Sequence, residues 1–356
     1  MLRTCEMELI TDGYFLGLGN PLLDMMATVD DALFEVYSLK KDDAILAEPR
    51  HLKLYEELKQ RFAVKYVAGG ATLNTIKMIQ WILWKPHRCT YVGCIASDEA
   101  GGLIRNECEK LQLCTKFQIT QTDSGTGRCA VLLQGGCRSM VTHLGAAQNL
   151  TLDYVLSGDV WQYVNKARVY YIAAFAINSC FDGVLMIARQ AHCNQKLFCF
   201  NLSAPFLQSY FSDKVDAVLP YVDILFGNKD EALAYADKHS LGTQSLSIIA
   251  RHLASLSPAD EVVKNRIVVL TQGKDSVIVA TTSEMDIRTY PALQLDDKDI
   301  VDTNGAGDAF AAGFISAYVL SNSIDEAIAL AMKSASHIIQ RSGFTLGPRE
   351  KFDFYI

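Results

Sequence analysis

Short apolar runs of strand length alternate with amphipathic helical segments along most of this 356-residue chain. The helical segments repeat their apolar residues every three or four positions, as at Leu73, Ile76, Ile79 and Leu83 and again at Ile324, Ile328, Ala331 and Ala335. The alternation predicts an α/β fold, in which helices cover both faces of a mostly parallel sheet. The predicted strands are 14–18, 90–95, 169–173, 197–202, 223–226, 267–271 and 277–280.

Two stretches interrupt this alternation. Residues 23–68 mix a strand-like start with polar segments, and residues 115–143 contain three successive strand patterns (116–120, 128–133 and 139–144) without helices between them. We expect these stretches to form a small β-rich lid domain. Residues 1–22, 69–114 and 144–356 would form the large α/β domain.

Composition excludes several classes of partner. The net charge is −7, from 33 basic and 40 acidic residues, so the chain offers no basic field for nucleic acid or an anionic membrane. No apolar run approaches the ~18 residues of a membrane-spanning helix. The ten cysteines show no C-x-x-C spacing, and Met1 to Thr11 lack a secretory pattern. We therefore expect a cytoplasmic protein with reduced cysteines, without excluding the nucleus.

The stretch DTNGAGDAF at residues 302–310 carries the strongest chemical signal. The small residues Gly305, Ala306 and Gly307 precede an apolar helical pattern and leave backbone N–H groups uncovered at a helix N-terminus, where an anion is favoured. Asp308 follows in the first turn. Anion donors beside a base suit phosphoryl transfer to a hydroxyl group. The alternative is a glycine-rich turn with a capping aspartate.

Polar residues at other strand ends predict a ligand site. Asp24 follows the first strand, and a carboxylate there could accept both hydroxyls of a ribose diol. Gly69 and Gly70 would allow the backbone to approach a ligand closely, and Asn74 would face the same side one turn later. Taken singly, each of these features is also compatible with an ordinary turn between a strand and a helix.

Asn228 and Glu231 follow another predicted strand at a spacing of i and i+3. Their oxygens would suit a hydrated Mg²⁺, although a helix N-cap with its first-turn glutamate explains the same spacing. Thr271, Gln272 and Gly273 end a further strand, where they could contact a nucleotide. Arg138 lies in the predicted lid and could reach a transferred phosphate.

These segments together resemble the ribokinase (PfkB carbohydrate kinase) superfamily of small-molecule kinases. The stretch 302–310 is shared across that superfamily. Other stretches are similar to those of its adenosine kinases: 19–24, 45–48, 68–74, 126–129, 201–206, 223–228 and 271–273. The resemblance implies a ribokinase-like fold and a reaction of purine salvage. In that reaction ATP, with Mg²⁺, phosphorylates the 5′-hydroxyl of adenosine and yields AMP and ADP.

The resemblance also implies roles for individual residues. Asp308 would be the general base, Gly305, Ala306 and Gly307 the anion hole, and Arg138 a phosphate contact. The metal and its waters would be organised indirectly by Asn228 and Glu231. The nucleotide would lie near Asn228, Thr271, Gln272, Gly273 and Met332. Adenosine would contact Asn20, Asp24, Leu46, Gly69, Gly70, Asn74, Cys129, Met140, Thr142, Phe175, Ala176, Phe206 and Asn304.

Some positions depart from the family pattern. Ala176 stands where relatives place a second aromatic ring, Met140 and Thr142 replace smaller or plainer apolar groups, and Met332 replaces a histidine found in some relatives. Loss of one stacking contact costs roughly 1 kcal/mol. We expect adenosine to remain the substrate, with an altered tolerance for base analogues.

Two other functions fit the same residues. One is a ribokinase-like kinase of a free sugar or another nucleoside, and the other is a catalytically silent nucleoside-binding protein, because fold alone does not define function. The retention of Asp308, the glycines and Glu231 together argues against the silent protein. The family analogy favours a monomer.

Overall fold

Two β-sheets organise the chain, which the computed structural model describes over residues 10–41, 43–134, 137–260, 265–349 and 352. The strands of the large sheet are β1 Phe15–Leu18, β5 Cys89–Ala96, β6 Cys114–Thr120, β9 Val169–Ala173, β10 Leu197–Asn201, β11 Ile224–Asn228, β12 Ile267–Gln272, β13 Asp275–Thr281 and β14 Arg288–Tyr290. Those of the small sheet are β2 Leu22–Thr28, β3 Ala44–Leu46, β4 Lys65–Gly69, β7 Arg128–Gln134 and β8 Cys137–His143.

Helices connect most of these strands. In chain order they are α1 Asp31–Tyr37, α2 Leu54–Arg61, α3 Ala71–Leu83, α4 Glu99–Lys110, α5 Leu152–Leu156, α6 Gly158–Lys166, α7 Ile177–Cys193, α8 Pro205–Val218, α9 Lys229–Lys238, α10 Leu246–Ala254, α11 Ala306–Ser321 and α12 Ile324–Ile339. Both helical patterns identified in the sequence are confirmed, as α3 and α12. The expectation that Met1 to Thr11 form no secretory signal falls mostly outside the described residues and stays a prediction.

The large sheet has the strand order β14-β13-β12-β11-β10-β9-β1-β5-β6 within the described residues. Neighbouring strands from β12 to β6 run parallel, whereas β13 and β14 are antiparallel additions at one edge. Parallel strands place all their carboxyl ends at one edge of the sheet, where ligands of α/β proteins bind. That edge faces the small sheet.

Helices cover both faces of the large sheet. One apolar core contains α3, α4, α11 and α12, with Ile76 and Phe314 fully buried. The opposite core contains α5 to α10, with Val184 and Ile249 fully buried. Strands enclosed on both faces read as continuous apolar runs, and all five residues of β9 are buried. The predicted α/β architecture is confirmed, and Cys94, Cys129 and Cys199 are buried.

The small sheet has the order β3-β8-β7-β2-β4 and packs against α1 and α2 over its own apolar cluster. Two of the three strand patterns in 115–143 lie in it. The third was assigned to the wrong sheet, because Cys114–Thr120 pairs in parallel with β5 at the edge of the large sheet. No described helix is long and apolar enough to cross a membrane.

Candidate active site

A cavity of about 520 Å³ lies between the carboxyl-terminal edge of the large sheet and the small sheet. Both sheets contribute to its walls, as do the first turns of α3 and α11. Most of the residues predicted from the sequence line it: Asn20, Asp24, Leu46, Gly70, Asn74, Cys129, Met140, Thr142, Phe175, Ala176, Phe206, Asn228, Glu231, Asn304, Gly305, Gly307 and Asp308. The site is thus assembled from segments far apart in the chain.

The N-terminus of α11 opens into this cavity. Gly305 precedes the helix with φ of 72°, and a Cβ there would overlap the ring of Phe344. A Cβ on Gly307 would meet nothing within 4 Å, so the fold itself does not require glycine at that position. No side chain caps this helix. Its first turn therefore presents small residues and the positive end of the helix dipole to the cavity.

Asp308 is held from α3. The amide Nδ2 of Asn74 donates to its carboxylate Oδ2 at 3.0 Å, and the hydroxyl of Thr75 donates to its main-chain oxygen at 3.1 Å. Burial raises the pKa of Asp308 to about 7, and the hydrogen bond from Asn74 opposes that rise. The other amide atom of Asn74, Oδ1, is buried without a hydrogen-bond partner among the described residues.

Asp24 provides a second buried carboxylate in the cavity. It lies on β2 and is 5% exposed. Gly69, on β4, leaves room for it, since a Cβ at Gly69 would overlap the Asp24 carboxylate. Burial raises the pKa of Asp24 to about 7, while the positive charges of Arg138 and Lys77 act to lower it. Gly70 follows with φ of 101°, packed so closely on the Asn20 carbonyl that a Cβ would overlap it.

Asn228 and Glu231 form a reciprocal helix cap. Asn228 Oδ1 accepts from the Glu231 amide at 2.9 Å, and Glu231 Oε2 accepts from the Asn228 amide at 2.9 Å. Asn228 Nδ2 also donates to Glu231 Oε1 at 2.7 Å. The capping alternative is therefore what the geometry shows. It does not remove the carboxylate from the cavity, where burial raises the pKa of Glu231 to about 7.

This donor set fits a magnesium ion that retains its waters. Within the described residues, no group of three or more His, Cys, Asp and Glu side chains could enclose a metal. Mg²⁺ commonly binds through one or two carboxylates together with water and substrate phosphates. A cation near Glu231 would stabilise the ionised carboxylate that burial disfavours. Glu231 therefore fits an indirect role.

Apolar side chains form another part of the cavity wall. The rings of Phe175 and Phe206 are 6.1 Å apart between centroids, and Ala176 beside them is buried. Across the cavity, the Thr142 hydroxyl donates to Cys129 Sγ at 3.4 Å, and Met140 lies on the same strand. A flat apolar group would be enclosed there, and the small side chain of Ala176 enlarges that space.

Arg138 lies outside the residues that line the cavity. Its guanidinium forms a salt bridge with Asp302, the first residue of the glycine-rich stretch. Asp302 also accepts from the amides of Asn304 and Gly343 at 2.9 Å each. Arg138 thus connects the small sheet to the segment that leads into α11.

Other predicted contacts are not brought into the enclosed cavity: Gly69, Ala306, Thr271, Gln272, Gly273 and Met332. Gly69 and Ala306 directly adjoin residues that line it. Thr271 is the register partner of Asn228, so the end of β12 extends the same sheet edge. Met332 packs against the core beside α11.

Sequence reasoning did not single out several lining residues: Ala44, Ile45, Thr72, Asn178, Asn201 and Ser203. Four of them, Ile45, Thr72, Asn201 and Ser203, belong to stretches that carry the family resemblance, and that membership was the available signal. The Thr72 hydroxyl accepts a hydrogen bond from the Ala173 amide at 3.0 Å and so fixes α3 against β9. Asn178 lies outside every stretch that carries the family resemblance, so the sequence carried no signal for it.

A glycine-led helix N-terminus, an acid in its first turn and a cavity between two sheets define a small-molecule kinase. Residues 31–351 match the model of the "pfkB family carbohydrate kinase". Adenosine kinase 2 of Arabidopsis thaliana is 38% identical over 342 residues, covering 96% of this chain and 98% of the relative. Adenosine kinase of Schizosaccharomyces pombe is 37% identical over 339 residues, covering 94% and 97%.

Solved structures give the same relationship. Schistosoma mansoni adenosine kinase in complex with 2-fluoroadenosine has a TM-score of 0.93 and 46% identity, covering 96% of this chain and all of that one. Anopheles gambiae adenosine kinase in complex with P1,P4-di(adenosine-5) tetraphosphate has a TM-score of 0.89 and 34% identity, covering 97% and 100%. The chain belongs to the pfkB family and, within it, to the adenosine kinases.

Proposed function

We propose that this chain transfers the γ-phosphoryl group of ATP to the 5′-hydroxyl of adenosine, yielding AMP and ADP. The observation that carries the proposal is the position of Asp308, in the first turn of an uncapped helix that opens into the cavity. Adenosine kinases at 34–46% identity over nearly the whole chain support the substrate. None of the observations favours a sugar kinase or a silent binding protein.

In the proposed reaction the 5′-oxygen forms a bond to the γ-phosphorus as the bond to the leaving oxygen of ADP breaks. The hydroxyl proton passes to the carboxylate of Asp308. A general base is most effective when its pKa lies near the working pH, and the pKa of Asp308 is about 7. Asn74 holds the accepting carboxylate and Thr75 holds its backbone, so the base is oriented before substrate arrives.

Charge on the transferred group would be stabilised by the N-terminus of α11. The backbone N–H groups around Gly305, Ala306 and Gly307 act as fixed dipoles that need no reorganisation during the reaction. The open space beside Gly307 is where the phosphoryl oxygens would fit. Asn304, which precedes these glycines, lines the same part of the cavity.

The ribose would be recognised at the opposite side of the same space. The carboxylate of Asp24 would accept hydrogen bonds from the diol, and the unpartnered Oδ1 of Asn74 supplies a further acceptor. Gly69, Gly70 and Asn20 shape the backbone there. The base would lie against the apolar wall: Leu46, Cys129, Met140, Thr142, Phe175, Ala176 and Phe206.

ATP would approach along the carboxyl ends of β11 and β12, past Thr271, Gln272 and Gly273, with Met332 near its base. Mg²⁺ would supply charge neutralisation between the phosphates. Asn228 and Glu231 would orient its waters, and Arg138 would contact the transferred phosphate once the small sheet moves inward. The lid would comprise 23–68 together with β7 and β8, and its closure would exclude water from the reaction. We further propose a monomer in the cytoplasm.

A substrate panel tests the proposal. With ATP and Mg²⁺, the enzyme should convert adenosine to AMP, turn over deoxyadenosine more weakly, and act poorly on inosine and ribose. Equal activity on ribose would reassign the chain to the sugar kinases. Tight adenosine binding without turnover of any of the four would leave a silent nucleoside-binding protein.

A further inference from the structure

An ion pair between α3 and α4 lies outside the residues that line the cavity, and neither of its members takes a direct part in the reaction proposed above. Lys77 is one turn beyond Asn74 on α3 and is fully buried. Its ammonium group contacts Glu107 of α4 and lies 5.7 Å from the centroid of the Phe344 ring. The Glu107 side chain is 34% exposed. A lysine is rarely this buried without a specific partner.

Both members of the pair hold the same backbone residue. Lys77 Nζ donates to the main-chain oxygen of Ala68 at 2.6 Å, and Glu107 Oε2 accepts from the Ala68 amide at 2.8 Å. Ala68 lies on β4, an edge strand of the small sheet, which among the described residues pairs with β2 alone. The backbone amide and carbonyl of Ala68 are thus bonded by side chains of the large domain rather than by another strand.

Ala68 is followed at once by the residues that shape the proposed ribose site. Gly69 packs against the Asp24 carboxylate, and the carbonyl of Gly70 accepts from the Asn74 amide at 2.8 Å. The Phe344 ring over Lys77 also packs against Gly305 ahead of α11. Movement of Ala68 would therefore displace Gly69 and Gly70, and with them the packing around Asp24 at the proposed ribose site.

We propose that Lys77 and Glu107 are positioning residues that fix the β4–α3 junction, and with it the diol-binding geometry of Asp24 and Gly70. This inference rests on the proposed function. The ion pair sets where the small sheet joins the large domain and acts on nucleoside binding through Ala68. It touches neither nucleotide nor the transferred group.

The test compares Lys77→Met and Glu107→Gln with wild type, using KM for adenosine, KM for ATP and kcat. Each variant should raise KM for adenosine about tenfold, the loss expected when one hydrogen-bonded contact is misplaced. KM for ATP and kcat should stay close to wild type. The rise in KM should be smaller for deoxyadenosine than for adenosine, because deoxyadenosine lacks one hydroxyl of the diol. The double variant should raise KM for adenosine little more than either single variant does, because the two residues act as one unit.

Lys196→Met is the matched control. Lys196 is also buried and holds a main-chain oxygen, that of Asn165 at 2.6 Å, but it precedes β10 at the far end of the sheet. This variant should lower the unfolding midpoint without changing either KM. If Lys77→Met fails to fold, Glu107→Gln alone tests the inference. The Glu107 side chain is partly exposed and glutamine preserves its shape, so we expect this variant to fold.

Variants of Lys77 and Glu107 that behave like Lys196→Met, losing stability while KM for adenosine is unchanged, would overturn the inference. An equal rise in both KM values would do the same. Failure of the proposed function is a separate result, because it appears in wild type as absent phosphorylation of adenosine. In that event calorimetric binding of adenosine to the same variants still measures the positioning effect.

Discussion

Oδ2 of Asp308 accepts a hydrogen bond from Nδ2 of Asn74 at 3.0 Å, which joins the first turns of α3 and α11. The next residue on α3, Thr75, holds the main-chain oxygen of Asp308. One helix therefore fixes both the carboxylate and the backbone of the proposed base. Gly70 caps the start of the same helix and lines the cavity together with Asp24, so a common element sets the position of the base and the proposed position of the ribose.

The pH dependence of turnover should reflect this arrangement. Asp308 must be ionised to accept a proton, and its pKa is raised by burial to about 7. We expect kcat to fall as pH decreases below about 7, approaching tenfold per unit. The hydrogen bond from Asn74 lowers that pKa, so Asn74→Ala should move the acidic limb of the kcat profile to higher pH. An acidic limb near pH 4 in wild type would contradict this account.

The substitution Gly307→Ala tests the proposed anion site without disturbing the fold. A Cβ at Gly307 contacts nothing within 4 Å, so the variant should keep the wild-type free energy of unfolding. Its methyl group would occupy the space assigned to the phosphoryl oxygens, and kcat should fall on the order of 10²-fold. Gly102→Ala is the control: it also has open space, lies within α4, and should gain about 0.5–1 kcal/mol of stability with unchanged kcat. Wild-type turnover by Gly307→Ala would place the transferred group elsewhere.

The ionised carboxylate of Asp24 should favour adenosine binding and lower the free energy of unfolding of the protein. Its pKa is raised from 3.8 to about 7 in the folded chain, so the folded state binds more protons than the unfolded state between these values. Its contribution to stability is complete below about pH 4 and is lost as pH rises through 7.

The substitution Asp24→Asn removes the decrease in unfolding free energy that ionisation of Asp24 causes as pH rises. Between pH 5 and 7 the unfolding free energy of the variant should improve relative to wild type by ~1.4 kcal/mol per pH unit. Chemical denaturation at several pH values measures the difference. Adenosine binding should weaken at the same time, because the amide cannot accept both diol hydrogen bonds. A stability difference that is constant across this range would refute the assignment of a raised pKa.

Regular periodicity made much of the fold predictable. The seven strands expected in the large sheet are present within one or two residues. Six of them are parallel strands covered on both faces, which read as continuous apolar runs. The sheet to which a strand belongs is not encoded in that way. Cys114–Thr120 has the composition of an edge strand in either sheet, and its pairing with β5 is what places it in the large sheet.

The candidate site was predictable where a local motif signals chemistry. Gly305, Gly307 and Asp308 form such a motif, whereas the partner of Arg138, Asp302, lies 164 residues away and depends on the closeness of the two sheets. Lys77 and Glu107 read as ordinary helical residues for the same reason. Their meaning arises only when α3 and α4 meet at the backbone of Ala68.

The most direct test is phosphotransfer from ATP and Mg²⁺ to adenosine by wild type and Asp308→Asn, with adenosine binding measured on both. The asparagine keeps the shape of the side chain and the position of α11 but cannot accept the hydroxyl proton. We predict a loss of roughly 10²–10⁴-fold in kcat with adenosine affinity retained. Wild-type turnover by Asp308→Asn would contradict the central claim that this carboxylate, at the N-terminus of α11, is the catalytic base.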